Sequence, residues 1–287
     1  MDLSIIIVSW NVKEKIKENL EAIFKSDLGD YKIEVFVVDN NSSDDTVSMI
    51  KYNFPNVKLI GNFCNLGFAK ANNQAIKRSC GRYVLLLNPD MKVFPDTLKK
   101  MIFWADQNKE AAVSSCRLID RNGELIRHVR RFPTFFDQLA IVLKLPHLSP
   151  NVLKKYLLYD FNYEKDAIVD SVRGAFFLIR RDVIKKIGLL DEKYFLWFEE
   201  VDYCRRVQEA GLRVYYTPVA ECRDYVGQSF GQVKRGVTQK YFKDSMLKYF
   251  KKWHPGWQFL VLKYAWHIGI FITFIAGKLK IRGKART

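Results

Sequence analysis

Cysteine is scarce in this 287-residue chain and forms no recognisable pattern. The five cysteines are an odd number, they are widely scattered, and no Cys-x-x-Cys pair occurs among them. Disulfide-dependent domains carry dense, even-numbered cysteines, and structural zinc sites need closely spaced ligands. The four histidines also lack the spacing of metal ligands. The sequence therefore argues against a disulfide framework and a zinc site, and it indicates a reducing compartment.

Targeting and P-loop signatures are missing as well. The N-terminus has no basic region before its apolar residues, and this apolar run is too short for a secretory signal. No Gly-x-x-x-x-Gly-Lys-Ser/Thr motif is present, which excludes a P-loop nucleotide hydrolase. We therefore expect the protein to act on the cytoplasmic side of a membrane.

Positive charge is what the sequence has in excess. The 47 Lys and Arg residues outnumber the 31 Asp and Glu residues, which gives a net charge of +16. Such an excess predicts a polyanionic partner, either nucleic acid, an anionic membrane or a diphosphate ligand. The basic residues are spread widely and accompany no nucleic-acid-binding motif, so no nucleic acid partner is expected. A basic nucleic-acid-binding protein and a merely solvated basic surface remain the alternatives.

The C-terminal segment is first apolar and then basic. Residues 257–277 are almost wholly apolar and aromatic, and five basic residues follow Gly277. The uncharged stretch from Tyr264 to Gly277 is shorter than the roughly 20 residues that a membrane-spanning helix needs. We therefore predict an interfacial helix that binds an anionic membrane surface, which makes the protein peripheral. A buried helix or a contact in a homo-oligomer is the alternative.

Apolar strands and amphipathic helices alternate through the first half of the chain. Strands are predicted at 3–8, 33–38, 57–60 and 83–87, with a helix after each. Crossover helices imply parallel pairing, so the prediction is an α/β fold with a doubly wound, mostly parallel sheet of Rossmann-like type and a C-terminal helical extension. Further on, strands 113–119 and 124–129 should form a hairpin around Asn122-Gly123. Strands at 169–179 and 213–216 and a helix at 201–210 complete the prediction.

Polar residues cluster where the first four predicted strands end. The clusters are Ser9-Trp10-Asn11, Asp39-Asn40-Asn41-Ser42-Ser43-Asp44, Asn62 with Asn65-Leu66-Gly67, and Asn88-Pro89-Asp90. Ligands of open α/β sheets bind beyond the carboxyl ends of the strands, so the four clusters predict one pocket. Asp90 follows an unbroken apolar strand and is placed to bind a hard divalent cation, which would neutralise a diphosphate. A simple Asn-Pro-Asp turn is the alternative.

Together these residues resemble the family 2 glycosyltransferases, with the rhamnosyltransferase-like branch as the nearest match. The motifs stand in the family's order and extend over about residues 3–231. They are Ser4 to Asn11, Val37 to Asp44, Asn65 to Ala69, Asn72-Asn73, Leu86 to Asp90, Arg173 to Phe177 and Phe195 to Asp202. The resemblance implies a GT-A fold and an inverting, metal-dependent transfer of a hexose, with rhamnose as one candidate. The donor would be a nucleotide-diphosphate sugar, and the acceptor a cell-surface glycan or its lipid-linked precursor.

The resemblance also implies roles for individual residues. Asp39 would contact the base or ribose of the donor, and Asp90 would ligate Mg²⁺ or Mn²⁺ from the position of the family's Asp-x-Asp motif. Asn88 replaces the first aspartate of that motif, which weakens coordination from there. Asp224 stands where the family tends to carry a histidine before a Gly-x-Ser element, and it is the second predicted metal ligand. The predicted donor-binding residues are Ser9, Asn11, Asp39, Asn41, Asn65, Gly67, Asn72 and Asn88.

A second acidic cluster supplies the predicted base. Glu199, Glu200 and Asp202 place three carboxylates within four residues, beside Trp197 and an adjoining phenylalanine. Mutual repulsion and aromatic surroundings should raise the pKa of at least one carboxyl toward the range that suits a general base. Glu200 aligns with the family's catalytic aspartate and is the predicted base. The predicted acceptor contacts are Trp197, which can stack on a sugar ring, and Gly174.

A serine hydrolase is the alternative enzyme class. Residues 227–231 fit the Gly-x-Ser-x-Gly nucleophile elbow with Ser229 at its centre, and Asp244 and His254 follow in a suitable order. However, such an elbow needs a central strand before it and further strands after it, and nothing beyond Gly231 has a strand pattern.

The predicted domain organisation has two parts. Residues 1–235 form one GT-A domain, with a nucleotide-sugar-binding half at 1–110 and an acceptor half at 111–235. Residues 236–287 form a helical membrane-association segment.

Overall fold

The computed structural model describes residues 1–225, 233 and 235–284, and it leaves out the side chains of residues 235 and 272–284. The strands are β1 (Leu3–Ser9), β2 (Ile33–Asp39), β3 (Lys58–Gly61), β4 (Tyr83–Leu87), β5 (Met91–Val93), β6 (Ala111–Ile119), β7 (Val129–Arg130), β8 (Ala167–Val169), β9 (Ser171–Val172), β10 (Phe176–Arg180) and β11 (Arg213–Asp224). The helices are α1 (Lys13–Phe24), α2 (Thr46–Asn53), α3 (Phe68–Ile76), α4 (Thr97–Gln107), α5 (Phe135–Val142), α6 (Arg181–Ile187), α7 (Glu199–Glu209), α8 (Arg235–Trp253) and α9 (Gly256–Lys284). Short 3₁₀ turns occupy Leu145–His147 and Pro150–Leu153.

The main sheet has nine strands in the order β3-β2-β1-β4-β10-β6-β11-β5, with β8 paired to β11. Strands β1, β2, β3 and β4 pair in parallel, which confirms the predicted β-α units. Strand β10 runs antiparallel to β4 and β6, so the sheet is mixed at its centre. Strand β2 lies on one side of β1 and β4 lies on the other, so the order in which strands are added reverses at β1. Such a reversal opens a crevice at the carboxyl ends of the two neighbouring strands β1 and β4.

Apolar periodicity explains how the helices pack on this sheet. On α1, Ile16, Leu20 and Ile23 recur at intervals of three and four residues. All three are fully buried in one of the two core layers that include the strands of the sheet. Strand β4 is buried along its whole length, as its unbroken apolar sequence predicts for a strand covered on both faces.

Three predicted elements differ from the structure. The turn at Asn122-Gly123 forms, but its return strand is reduced to one bridge between Ile119 and Leu125, and the chain pairs next as β7 with β9 in a separate two-stranded sheet. The single strand predicted at 169–179 is divided among β8 and β10 of the main sheet and β9, which pairs with β7 in a separate two-stranded sheet. The short strand at 213–216 continues to Asp224, with a register shift that accommodates Pro218.

The C-terminal helices α8 and α9 form a third core layer together with α5. Helix α9 crosses α5 so closely that a Cβ on Gly269 would collide with the carbonyl oxygen of Val142. Helix α8 begins at the predicted domain boundary, and its first turns reach the crevice of the sheet. Within the part of the chain that the structure describes, none of the helices combines the length and hydropathy needed to cross a bilayer.

Candidate active site

A cleft of about 360 Å³ lies at the carboxyl ends of β1 and β4. Nine of the predicted site residues line it, namely Ser9, Asn65, Gly67, Asn88, Asp90, Gly174, Trp197, Glu199 and Glu200. The other six, Asn11, Asp39, Asn41, Asn72, Asp202 and Asp224, are not among the lining residues. The convergence of the strand ends on one cleft follows from the topology of the sheet.

Asp39 and Ser9 stand side by side where β2 and β1 end, because they are partners in the parallel register. The backbone N–H of Ser42 donates to Oδ2 of Asp39 at 2.9 Å. Oδ1 of Asp39 and Oγ of Ser9 are buried and have no hydrogen-bond partner among the described residues. A buried polar atom without a partner costs about 1–3 kcal/mol, so these atoms are suited to receive groups of a ligand.

An asparagine network behind this edge includes one residue that the sequence interpretation missed. Nδ2 of Asn40 donates to Oδ1 of Asn65 at 3.2 Å and to the carbonyl oxygen of Gly67 at 3.3 Å. Asn62 donates in turn to Oδ1 of Asn40 at 2.9 Å. Asn40 also lines the cleft. Its position in the Asp39 to Asp44 motif was the only sequence signal for it.

Gly67 is glycine for two reasons, and neither involves the donor. Its φ is +80°, in the left-handed region that favours glycine. A Cβ at this position would collide with the carbonyl oxygen of Phe195 and approach its ring atom Cδ2 to 2.7 Å. The N–H of Phe68 donates to that same carbonyl at 2.8 Å, which joins the start of α3 to the segment that leads into α7.

Three of the predicted donor-binding asparagines lie beside the cleft. Asn11 has a φ of 52° and its side-chain oxygen accepts from the N–H of Ser43 at 2.7 Å, so it connects the first and second strand ends. Asn41 is exposed and also left-handed, with a φ of 65°. Asn72 is buried on α3 and donates to the carbonyl of Phe68.

Asp90 is held by backbone hydrogen bonds on both sides. The N–H of Asn88 donates to the carbonyl of Ala175 at 2.9 Å, and the N–H of Tyr225 donates to the carbonyl of Asp90 at 3.1 Å. These contacts fix the turn after β4 between β10 and the end of β11. The carboxyl group of Asp90 is therefore positioned by three strands.

The other predicted metal ligand, Asp224, is engaged by a cation of the protein. Its Oδ2 accepts a 2.9 Å hydrogen bond from Nη1 of Arg173. Among the described residues, no group of three or more His, Cys, Asp or Glu side chains is arranged to hold a metal ion. A cation at this turn would therefore take Asp90 as a ligand and complete its shell with ligand phosphates and water, a coordination that suits Mg²⁺.

Glu199 and Glu200 are the first two residues of α7, and both line the cleft. The two residues before them, Trp197 and Phe198, both have left-handed φ values of 64° and 67°. Such strain in non-glycine residues costs about 1–3 kcal/mol each and concentrates at functional sites. It turns the chain so that the first two residues of the helix both reach the cleft.

The surroundings of this carboxylate pair raise the pKa of both groups. Burial is the main cause for each, and the negative charge of Glu200 raises the pKa of Glu199 further. The positive charges of Arg173 and Arg130 act against burial at Glu200 and keep its pKa lower than burial alone would. An Oε2 atom of each residue is buried without a hydrogen-bond partner in the described part of the chain.

Asp202 does not belong to the carboxylate pair. It is fully buried on the other side of α7, where Arg206, Lys252 and the indole N–H of Trp253 all contact it. Its side chain ties α7 to the last turn of α8. The Asp202 side chain therefore does not reach the cleft, which argues against the role of base that the sequence allowed for it.

Helix α8 supplies one wall of the cleft through Val237, Thr238 and Tyr241. The Tyr241 ring packs on that of Phe195, with centroids 4.5 Å apart. This wall was missed because nothing in the residues of α8 marks them as site residues. Gly174, another lining residue, faces the Glu200 side chain, and a Cβ added there would lie 3.5 Å from Cβ of Glu200.

The acid and the histidine of the serine-hydrolase alternative do not follow strands of the sheet. Ser229 lies outside the described residues. Asp244 lies within α8, and His254 follows its last residue with its ring stacked on Phe250 at 4.2 Å. A nucleophile elbow would require its acid and histidine to follow strands of the sheet.

Comparison with known proteins assigns the chain to a family. The profile described as Glycosyl transferase family 2 matches residues 4–188. The N-acetylglucosaminyl-diphospho-decaprenol L-rhamnosyltransferase of Mycobacterium tuberculosis is 24% identical over 236 residues, which cover 78% of this chain and 76% of the relative. The rhamnosyltransferase WbbL of Escherichia coli is 28% identical over 229 residues, which cover 77% and 82%.

A solved structure of similar fold is the mannosyltransferase PcManGT from Pyrobaculum calidifontis, in complex with GDP-Man and Mn²⁺. The match covers 99% of this chain and 79% of that one, with a TM-score of 0.58 and 19% identity. The predicted GT-A fold is thereby confirmed. The chain belongs to glycosyl transferase family 2 and is a glycosyltransferase that uses a nucleotide-sugar donor.

Proposed function

We propose that this enzyme transfers a hexose, with rhamnose as the first candidate, from a nucleotide-diphosphate donor to a lipid-linked precursor or cell-surface glycan. The observation that carries the proposal is that Asp90 and the buried carboxylate pair Glu199 and Glu200 line one and the same cleft. The similarity to two rhamnosyltransferases supports the choice of sugar, and the name of the M. tuberculosis enzyme supports a polyprenyl-diphosphate acceptor.

The proposed reaction is a single displacement with inversion. Glu200 accepts the proton of the acceptor hydroxyl while that oxygen bonds to the anomeric carbon of the donor sugar. The bond from the anomeric carbon to the diphosphate breaks, and the nucleoside diphosphate leaves with the electron pair. Glu200 is the better base of the pair because the charges of Arg173 and Arg130 favour its ionised form, whereas Glu199 meets an added negative neighbour.

The donor is proposed to bind along the ends of β1, β2 and β4. The unpartnered oxygens of Asp39 and Ser9 suit hydroxyl and N–H groups of the nucleoside. Asp90 would hold the divalent cation, Mg²⁺ or Mn²⁺. When bound, such an ion neutralises charge that develops on the departing diphosphate.

The exposed face of α9 is proposed to rest on an anionic membrane. Six exposed apolar residues at helical spacing form a stripe about 100° wide, the α9 stripe: Trp257, Leu260, Val261, Tyr264, Ile268 and Phe271. The exposed Phe136 of α5 lies near the Trp257 end of the α9 stripe, because Phe135 packs on both Phe136 and Trp257. The five basic residues that follow Gly277 in the sequence supply positive charge that attracts anionic lipid. A lipid-linked acceptor would then meet the enzyme at the bilayer surface.

The proposal is tested by release of nucleoside diphosphate from individual nucleotide sugars, with Mg²⁺, Mn²⁺ or excess EDTA. We expect release from one donor class, dependence on the cation, and a large loss in Asp90→Asn. Asp96→Asn removes an exposed carboxylate that pairs with Lys100 outside the cleft, and it serves as the matched control. Full activity in EDTA, or wild-type metal dependence in Asp90→Asn, would contradict the role of Asp90.

A further inference from the structure

The cleft is rich in acids although its proposed ligand is an anion. Asp90, Glu199 and Glu200 line it, and Asp224 is hydrogen-bonded to the lining residue Arg173. Within the described part of the chain, Arg173 is the only lysine, arginine or histidine among the lining residues. A diphosphate needs positive charge, and a single divalent cation does not offset both the diphosphate and these carboxylates. Arg173 is therefore the side chain of the described lining that can supply the missing positive charge.

Arg173 lies where it can reach the same turn as Asp90. It stands in the segment between β9 and β10, two residues before Ala175, whose carbonyl holds the backbone of Asn88. Asp224 pairs in register with Met91, the residue after Asp90. Arg173, from the segment before β10, and Asp224, from the end of β11, thus both lie near the turn that holds Asp90.

The Arg173–Asp224 pair is asymmetric in its exposure. The Asp224 side chain is 1% exposed, whereas that of Arg173 is 34% exposed toward the cleft. The pair uses Nη1 of the guanidinium at 2.9 Å. A guanidinium has five N–H donors in a rigid plane, so further donors remain for a second anion while Asp224 fixes the orientation.

We propose that Arg173 binds the β-phosphate of the nucleotide donor and that Asp224 is its positioning residue rather than a ligand of the cation. This inference rests on the proposed function, because it names the group that recognises the leaving diphosphate in the same cleft. Arginine binds phosphate oxygens through charge-assisted hydrogen bonds, and a preorganised donor at a leaving group stabilises the charge that forms there. The buried carboxylate of Asp224 is matched by the guanidinium and does not need a metal ion.

The test is isothermal calorimetry of the full chain with thymidine and uridine diphosphates and with the corresponding monophosphates. Wild-type enzyme should bind one diphosphate more tightly than its monophosphate. Arg173→Gln should weaken diphosphate binding about 10- to 100-fold and leave monophosphate binding nearly unchanged, as expected for a lost charge-assisted bond. Arg173→Lys keeps the charge without the planar donor set and should restore part of the difference.

Asp224→Asn separates a positioning residue from a metal ligand. We expect it to weaken diphosphate binding at saturating Mn²⁺ while the Mn²⁺ concentration for half-maximal binding stays at the wild-type value. Asp90→Asn should raise that Mn²⁺ concentration instead. Arg117→Gln is the matched control, because Arg117 pairs with Glu221 of β11 outside the cleft lining and its loss should change neither quantity.

Three outcomes would overturn the inference. Equal diphosphate affinity in wild type and Arg173→Gln would exclude phosphate binding by Arg173. A tenfold or greater rise in the Mn²⁺ requirement of Asp224→Asn, with diphosphate binding restored at saturating metal, would make Asp224 a metal ligand. If wild-type enzyme binds no nucleoside diphosphate, the proposed function fails and this inference fails with it.

Discussion

Replacing Asp202 should break the contact between α7 and α8 and thereby lower the free energy of unfolding. Its carboxylate accepts hydrogen bonds from Trp253 Nε1 at 2.8 Å, Arg206 Nε at 3.1 Å and Lys252 Nζ at 3.0 Å. The hydroxyl of Tyr194 contributes a longer bond at 3.3 Å. Asp202→Ala would leave two cations and an indole N–H without their common acceptor.

The magnitude follows from the burial of the partners. Removing one partner of a buried ion pair costs about 3–5 kcal/mol, because a desolvated charge is left behind. Asp202 is fully buried, but Arg206 and Lys252 are 19% and 34% exposed and regain some contact with water. We therefore expect the lower end of the range, about 3 kcal/mol. Asp191→Asn is the control, since its pair with Lys252 is partly exposed and worth about 0–1 kcal/mol.

Urea denaturation followed by tryptophan fluorescence measures both variants. Asp202→Ala should lower the urea midpoint clearly, and Asp191→Asn should shift it little. Turnover of folded Asp202→Ala should fall less than that of a variant in the carboxylate pair. A wild-type urea midpoint together with abolished turnover would refute the reasoning and return Asp202 to the list of candidate bases.

Four further predictions concern the cleft and the membrane surface. Glu200→Gln should lower kcat about 10²- to 10⁴-fold with donor affinity nearly unchanged, and Glu199→Gln should lower kcat less. A larger loss of kcat in Glu199→Gln than in Glu200→Gln would make Glu199 the base. Because burial raises the pKa of Glu200 and the base must be ionised, kcat should fall as the pH drops through a value above the usual glutamate range, and an acid limb at an ordinary glutamate pKa would contradict this. Gly67→Ala should lower stability by at least about 1–2 kcal/mol in thermal melts, whereas Gly174→Ala, whose Cβ meets only ordinary contacts, should melt close to wild type. Serine substitutions throughout the α9 stripe should abolish sedimentation with anionic vesicles while nucleotide binding persists, and unchanged sedimentation would assign the stripe to another contact.

The β-α units and the convergence of their strand ends were predictable because both follow from local sequence. Apolar strands, amphipathic helices and polar strand ends are properties of a few neighbouring residues, and the topology then brings the ends together. Asp90 was predicted to lie in the cleft in this way, whereas Glu199 and Glu200 were predicted from their acidic cluster beside aromatic residues. The resemblance to a known family added the chemical roles that the pattern alone left open.

The remaining site features depend on residues far apart in the chain. Asp202 looks like its neighbours Glu199 and Glu200 until Lys252 and Trp253 are seen to contact it from α8. Likewise, Asp224 was predicted as a metal ligand without knowledge of its hydrogen bond with Arg173, which lies 51 residues earlier in the chain. Neither partner is signalled by spacing or composition. Long-range pairs of this kind decide which carboxylates serve structure and which face the cleft.

The measurement that tests the central claim most directly is the anomeric configuration of the transferred sugar. Wild-type enzyme is incubated with the donor that it turns over and with a polyprenyl-diphosphate-linked sugar acceptor, and the product linkage is read by proton NMR. A single displacement in this cleft predicts a new glycosidic bond with the configuration opposite to that of the donor, formed together with one nucleoside diphosphate. A product that retains the donor's configuration, or a failure to form any glycosidic bond from any nucleotide sugar, would contradict the account.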